Sequence, residues 1–171
     1  MSPDIEIIGD GCAALSLAAR ASELNHNIRL IKPSNAPTTN DHVWGFWSDP
    51  ILAAAQQLAR ATWQKWAIIT HNDCAVLSSE TRPYNAFKRS DWSEHCKGLA
   101  ELSNVTIVAE HEWEKSADSL LFDTRPPVVP NDCMLQHFQG IEVKTKQPCF
   151  DKDMAILMDF RVDQSKGMHF I

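Results

Sequence analysis

Asp4-Ile5-Glu6-Ile7-Ile8-Gly9-Asp10-Gly11-Cys12-Ala13-Ala14-Leu15-Ser16-Leu17-Ala18 is the stretch that decides the fold. Asp4 to Ile8 is a short β-branched run, which favours a buried strand. It breaks at Gly9-Asp10-Gly11, and Cys12 to Leu24 then reads as an Ala- and Leu-rich helix with apolar residues at 14, 15, 18, 21 and 24. Ile28 to Ile31 is a second β-branched run, stopped by Pro33. Strand, glycine turn, helix and strand within about thirty residues have the size of a βαβ unit. In that context Gly9-x-Gly11-x-x-Ala14 has a physical reading. Gly9 allows a tight turn, Gly11 lets the backbone approach a pyrophosphate, and Ala14 keeps the helix close to the sheet. The helix N-terminus offers free N–H groups to the anion. Gly9, Asp10, Gly11, Cys12, Ala13 and Ala14 are therefore candidate dinucleotide-binding residues; the alternative is a glycine turn inside some other α/β fold.

The same fingerprint asks for an acid about 20 residues further on, bonded to the ribose hydroxyls. Lys32 ends the second strand instead, and a lysine accepts no hydrogen bond. Three readings stay open: another acid serves, Asp41 being a remote candidate, or the adenosine end is held loosely, or the ribose is phosphorylated and suits a cation. Lys32 joins the candidate cofactor-binding set on that last ground.

Outward from this unit, residues 33–47 read as a polar loop ending in the aromatic cluster Trp44-Gly45-Phe46-Trp47. That cluster is either core or the lining of an apolar pocket. Ser48-Asp49-Pro50 reads as the start of a helix to about Thr62. Trp66 to Thr70 and Cys74 to Ser78 read as a hairpin around residues 71–73. Ser90 reads as the N-cap of a helix to Leu102, Val105 to Ala109 as a further buried strand, and Leu120 to Phe122 as a short one. After Pro130 the pattern alternates over Gln136–Lys144 and Met154–Val162, with Ile156, Met158, Phe160 and Val162 on one face. Such alternation predicts half-exposed antiparallel strands. A domain transition is expected near residue 126, giving domains 1–126 and 127–171, with the second ending inside a strand and so incomplete.

Composition narrows the function. Among 171 residues, 16 are Lys or Arg and 22 Asp or Glu, a net charge of −6. That balance repels phosphate backbones and argues against nucleic acid as a partner. No apolar run has the roughly 18–20 residues of a membrane span, and Met1-Ser2-Pro3-Asp4 lacks the basic start of a signal peptide. Five cysteines without a Cys-x-x-Cys pair point to a reducing, cytoplasmic setting. Seven scattered histidines show no metal-ligand spacing, so no metal site is expected.

In order along the chain, several segments resemble the lycopene cyclases, a branch of the FAD-binding Rossmann flavoproteins. They are Asp4 to Ala18; Asp41-His42-Val43-Trp44-Gly45-Phe46-Trp47; Tyr84 with Ser90; Phe122-Asp123-Thr124-Arg125-Pro126; Gln136 to Val143; Leu157-Met158-Asp159-Phe160-Arg161-Val162; and Gln164 with Gly167 to Phe170. Lys32 departs from the family, as does Val43, where Thr is usual. The resemblance implies an α/β fold, with a Rossmann-like FAD/NAD(P)-binding domain followed by the start of an antiparallel-sheet substrate domain. It implies reduced FAD as cofactor, NAD(P)H as its reductant, and lycopene or a related carotenoid as substrate, cyclised to β-ionone rings without net redox change. It also implies peripheral contact with a membrane, and it adds Met158 and Phe160 to Trp44, Phe46 and Trp47 as candidate substrate contacts. The family's proposed acid is a glutamate in a Phe-Leu-Glu-Glu-Thr-like segment, expected beyond Ile171, so no catalytic residue is assigned within the chain; were one needed here, Asp159 or Glu142 would be the first candidates. The alternatives are another FAD-dependent oxidoreductase, of monooxygenase or halogenase type, and a catalytically inactive nucleotide-binding fragment.

Overall fold

Ten strands and four helices make up the computed structural model, which describes residues 3–35, 41–133 and 138–171. In chain order they are β1 (Ile5–Ile8), α1 (Cys12–Ala19), α2 (Ala21–Leu24), β2 (Ile28–Lys32), β3 (Val43–Trp47), α3 (Ala53–Gln57), β4 (Ala61–Trp63) and β5 (Lys65–Ile69). There follow β6 (Cys74–Ser78), β7 (Tyr84–Lys88), α4 (Arg89–Glu101), β8 (Val105–Ala109), β9 (Leu120–Asp123) and β10 (Met154–Asp159). Two compact units result, each assembled from two segments: residues 1–42 with 89–139, and residues 43–88 with 140–171. This division differs from the single transition expected near residue 126, because β3 to β7 pair among themselves and with β10.

In the first unit the β-branched runs form a four-stranded, all-parallel sheet in the order β8-β2-β1-β9. Ala14, Leu15 and Ala18 of α1 and Cys96 and Ala100 of α4 are buried with Ile5, Ile7, Ile28 and Leu30. Small residues on α1 allow that close approach. The helix expected over Cys12–Leu24 is interrupted at Arg20, whose N–H closes a tight turn onto the Leu17 carbonyl at 3.1 Å before α2 resumes. β8 is an edge strand rather than the buried one expected: Ile107 is 49% exposed. On β1, Glu6 is fully buried. Its carboxylate accepts from Ser119 Oγ at 2.6 Å, Trp113 Nε1 at 2.8 Å, the Ser116 N–H at 3.1 Å and Arg29 at 3.2 Å. Burial raises its pKa, but those donors outweigh burial and hold it below the ordinary carboxylate value.

Two three-stranded sheets make up the second unit, β3-β7-β4 antiparallel and β10-β5-β6 mixed. The loop expected at 33–47 ends in a strand, because Val43 to Trp47 pair with Tyr84 to Lys88. The helix expected to reach Thr62 ends at Gln57; Asp49 caps the preceding 3₁₀ turn through the Ile51 N–H at 3.1 Å, and pairing with β7 takes over from Ala61. The β5–β6 hairpin is as expected. β10, by contrast, runs parallel to β5, with a bulge between Ile156 and Met158. Ile156 and Met158 face outward, 48% and 37% exposed, while Leu157 and Asp159 are half-buried. Of the strand expected over 136–144, residues 136 and 137 lie outside the described residues, and 138–144 have no regular structure. The strand expected over 168–171 reduces to a pair of backbone bonds between Ile171 and Asp159, 2.8 and 3.0 Å.

Candidate functional site

All four parallel strands of the first unit end on one edge of their sheet. The chain steps outward from β1 to β2 to β8, then returns to the other side of β1 as β9. Such a reversal opens a crevice at the carboxyl ends of the strands, where α/β proteins bind ligands. The glycine turn lies there, at the end of β1.

Its two glycines have different reasons to exist. Gly9 is at φ +141°, and a side chain on it would collide with Thr124 Oγ1 and press on the Ala14 Cβ at 3.2 Å. Its N–H donates to the Ile31 carbonyl at 2.9 Å. Thr124, just after β9, donates to the Ile8 carbonyl through both N–H and Oγ1 at 2.9 Å. Gly9 is thus required by the fold. Gly11 is not: at φ −85°, ψ −172° it has a backbone open to any residue, and a Cβ there would meet no described atom within 4 Å. It is the N-cap of α1, yet no side chain caps that helix and no acid stands in its first turn. The N–H groups of Cys12, Ala13 and Ala14 therefore have no intrahelical acceptor, and beside them, among the described residues, nothing lies within 4 Å of a Cβ on Gly11. That cradle fits an anion approached by bare backbone. Asp10 is half-buried beside it, Cys12 and Ala13 are exposed, and Ala14 is buried.

Lys32 is exposed at the end of β2. Asp41 is committed elsewhere: its carboxylate accepts from the Ser90 N–H at 3.0 Å and Ser90 Oγ at 2.9 Å. Ser90 is thus inside α4, not its cap, and Asp41 plays the capping part. Two residues absent from the candidate set complete the edge. Glu110, directly after β8, accepts from the Ser34 N–H at 2.9 Å and from Arg125 at 3.0 Å. Arg125, after β9, is also clasped by Asp123 at 2.7 Å, and that side-chain hydrogen bond holds the Asp123 carboxyl below its ordinary range. An acid placed directly after the third β-branched run was the available signal for Glu110. A cavity of 820 Å³ in this unit, lined by residues that include Arg29, His111, Glu112, Trp113 and Lys115, shares no residue with the glycine turn. It flanks the Glu6 network, with Arg29 and Trp113 both committed to that carboxylate.

In the second unit, β3 splits its aromatics between two faces. Trp44 and Phe46 pack edge-on against buried Phe87, ring centres 5.8 and 5.4 Å apart. Trp47 packs on Tyr84 at 5.1 Å and Trp66 at 6.0 Å. A side chain at Gly45 would collide with the Tyr84 ring, whose hydroxyl burial pushes up in pKa. Phe160 packs on Phe170 at 5.6 Å. The five candidate substrate residues therefore do not share one face. Arg161 grips Asp159 at 2.6 Å and lowers its pKa to about 2, and Glu142 pairs with Arg60 at 3.0 Å. The Asp159 carboxylate is therefore not set up to donate a proton at neutral pH.

Among the described residues there is no helix long and apolar enough to cross a membrane and no cluster of His, Cys, Asp or Glu arranged for a metal. No curated protein matches the chain. Among solved structures it is similar to a variant of 2-methyl-3-hydroxypyridine-5-carboxylic acid oxygenase, at 18% identity and a TM-score of 0.51, covering 64% of this chain and 32% of the other. It is also similar to PqsL of P. aeruginosa in complex with 2-aminobenzoylacetate, at 9% identity and a TM-score of 0.51, covering 63% and 33%. At these identities the likeness is one of fold, and it spans about a third of each neighbour's length. The α/β, Rossmann-like class is thus shared, with strand order and glycine turn in place. Residues 4–171 match the family described as lycopene cyclase protein, so that this chain belongs to the lycopene cyclase family.

Proposed function

We propose that the chain carries the adenosine-diphosphate part of an FAD site, with the pyrophosphate on the bare N-terminus of α1, and that its protein closes the ends of lycopene into β-ionone rings in carotenoid biosynthesis. The observation that carries this reading is Gly11: neither its backbone angles nor its neighbours require a glycine, whereas a phosphate against the backbone does. Gly9 and Thr124 would fix the turn, and the N–H groups of residues 12–14 would hold the anion. When bound, the reduced flavin supplies negative charge beside a cationic transition state. NAD(P)H would serve only to keep it reduced. Trp44, Phe46, Trp47, Met158 and Phe160 remain the proposed apolar contacts, and a substrate dissolved in lipid calls for peripheral attachment of a cytoplasmic protein to a membrane. With Asp159 held near 2 by Arg161, the proton donor is to be sought elsewhere than at that carboxylate.

The test is Gly11→Val. The purified parent should retain FAD and the variant should lose it, and the same change at the native locus should replace β-ring carotenoids with lycopene. Equal flavin retention refutes the cofactor site, and unchanged pigments refute the cyclase reading.

A further inference from the structure

Glu110 and Arg125 leave opposite outer strands of the parallel sheet, β8 and β9, with β2 and β1 between them. Three strand spacings at about 4.8 Å each put those strands roughly 14 Å apart. Yet the side chains meet at 3.0 Å, so their bridge passes over the carboxyl ends of β2 and β1, where Lys32 and the glycine turn stand. Lys32 supplies no acceptor. Glu110 does: its Oε2 already reaches the Ser34 N–H, two residues beyond the end of β2, at 2.9 Å. A carboxylate has about four acceptor sites; two are filled here, and the side chain is 30% exposed. Its oxygens are thus held, partly open, on the side of the sheet where a dinucleotide on the Gly9–Ala14 turn extends its ribose toward β2.

We propose that Glu110, reaching across from β8, is the acceptor of the adenosine ribose 2′-hydroxyl, in place of the acid that β2 lacks. Arg125 positions it, holding the carboxylate over the sheet edge while Asp123 anchors the guanidinium. The inference rests on the FAD reading above but concerns one hydroxyl only.

The experiment compares FAD with its 2′-deoxyadenosine analogue by flavin-fluorescence titration of the intact protein. A charge-assisted hydrogen bond predicts that the parent prefers FAD by at least about tenfold. Glu110→Gln, which keeps an acceptor for the Ser34 N–H, should reduce that preference to about two- to threefold, and Glu110→Ala should bring it to about one. The ratio of two ligands on one protein is insensitive to general loosening, so a merely structural role for Glu110 would weaken both and leave the ratio intact. A parent ratio near one, or a ratio unchanged in both variants, overturns the inference while leaving FAD binding in place. Failure of the parent to bind either flavin overturns the underlying reading instead.

Discussion

Gly11→Ser should move stability and cofactor binding in opposite directions. The position has φ −85°, ψ −172°, open space around a Cβ, and an uncapped helix behind it. Serine adopts that extended geometry readily and is a preferred N-cap, able to accept from the N–H of residue 13 or 14; replacing glycine there gains a few tenths of a kcal/mol. Loss of glycine's freedom in the unfolded chain adds about 0.4–1 kcal/mol. The flavin-free variant should therefore be more stable by about 1 kcal/mol, a rise in Tm of about 2–4 °C for a chain of this size. The same hydroxymethyl group fills the cradle and occupies an N–H meant for phosphate. Losing one charge-assisted hydrogen bond costs about 1.5–3 kcal/mol, so FAD should bind roughly ten- to a hundredfold more weakly. Urea denaturation without flavin and fluorescence titration with it give the two numbers. A variant less stable than the parent would show that Gly11 serves the fold, and unchanged affinity would show that no phosphate lies against it; either result refutes the reasoning.

Gly9→Ala should show the contrasting pattern, losing about 2 kcal/mol or more in flavin-free protein, since its φ is +141° and Thr124 Oγ1 stands in the way; chemical denaturation measures it. Glu6→Gln should cost about 2 kcal/mol at neutral pH, because four donors lose a charged acceptor. The folded pKa of Glu6 lies below the ordinary 4.5, so its contribution is complete above that value and disappears as pH falls through the folded pKa. Parent and variant stabilities measured in a pH series should accordingly converge on the acid side. Phe87→Ala should cost about 3–5 kcal/mol, because Trp44 and Phe46 both close on that ring; loss of near-ultraviolet circular dichroism at a lower urea midpoint is the readout.

What was legible in the sequence was what is decided locally. β1, the glycine turn and β2 follow from β-branched runs and glycines within one βαβ unit, and the hairpin of β5 and β6 closes over a short turn. The β3-β7-β4 sheet was missed because its stability comes from pairing across the chain: Val43 meets Lys88, and Trp63 meets Tyr84. Alternation of Trp44 and Phe46 with Val43 and Trp47 was a strand signal masked by the polar loop before it. Alternation in β10 is a strand signal, but period two carries no information on whether the partner runs parallel. Asp41 caps a helix 49 residues away. Glu110 is likewise defined by a partner just past another strand, 15 residues further on.

The interleaving of the two units sets the order in which the nascent chain can mature. β2 has been synthesised by residue 32, but its outer partner β8 begins only at residue 105 and β9 only at residue 120. At about 5–20 residues per second the 72 intervening residues take roughly 4–15 s to make. Meanwhile β5 and β6 lie four residues apart and close in about 1–10 μs. The unit that begins first is thus still waiting on the ribosome for both outer strands of its sheet while a hairpin of its neighbour is long formed, and the apolar β1–α1–β2 segment is the one a ribosome-bound chaperone would meet.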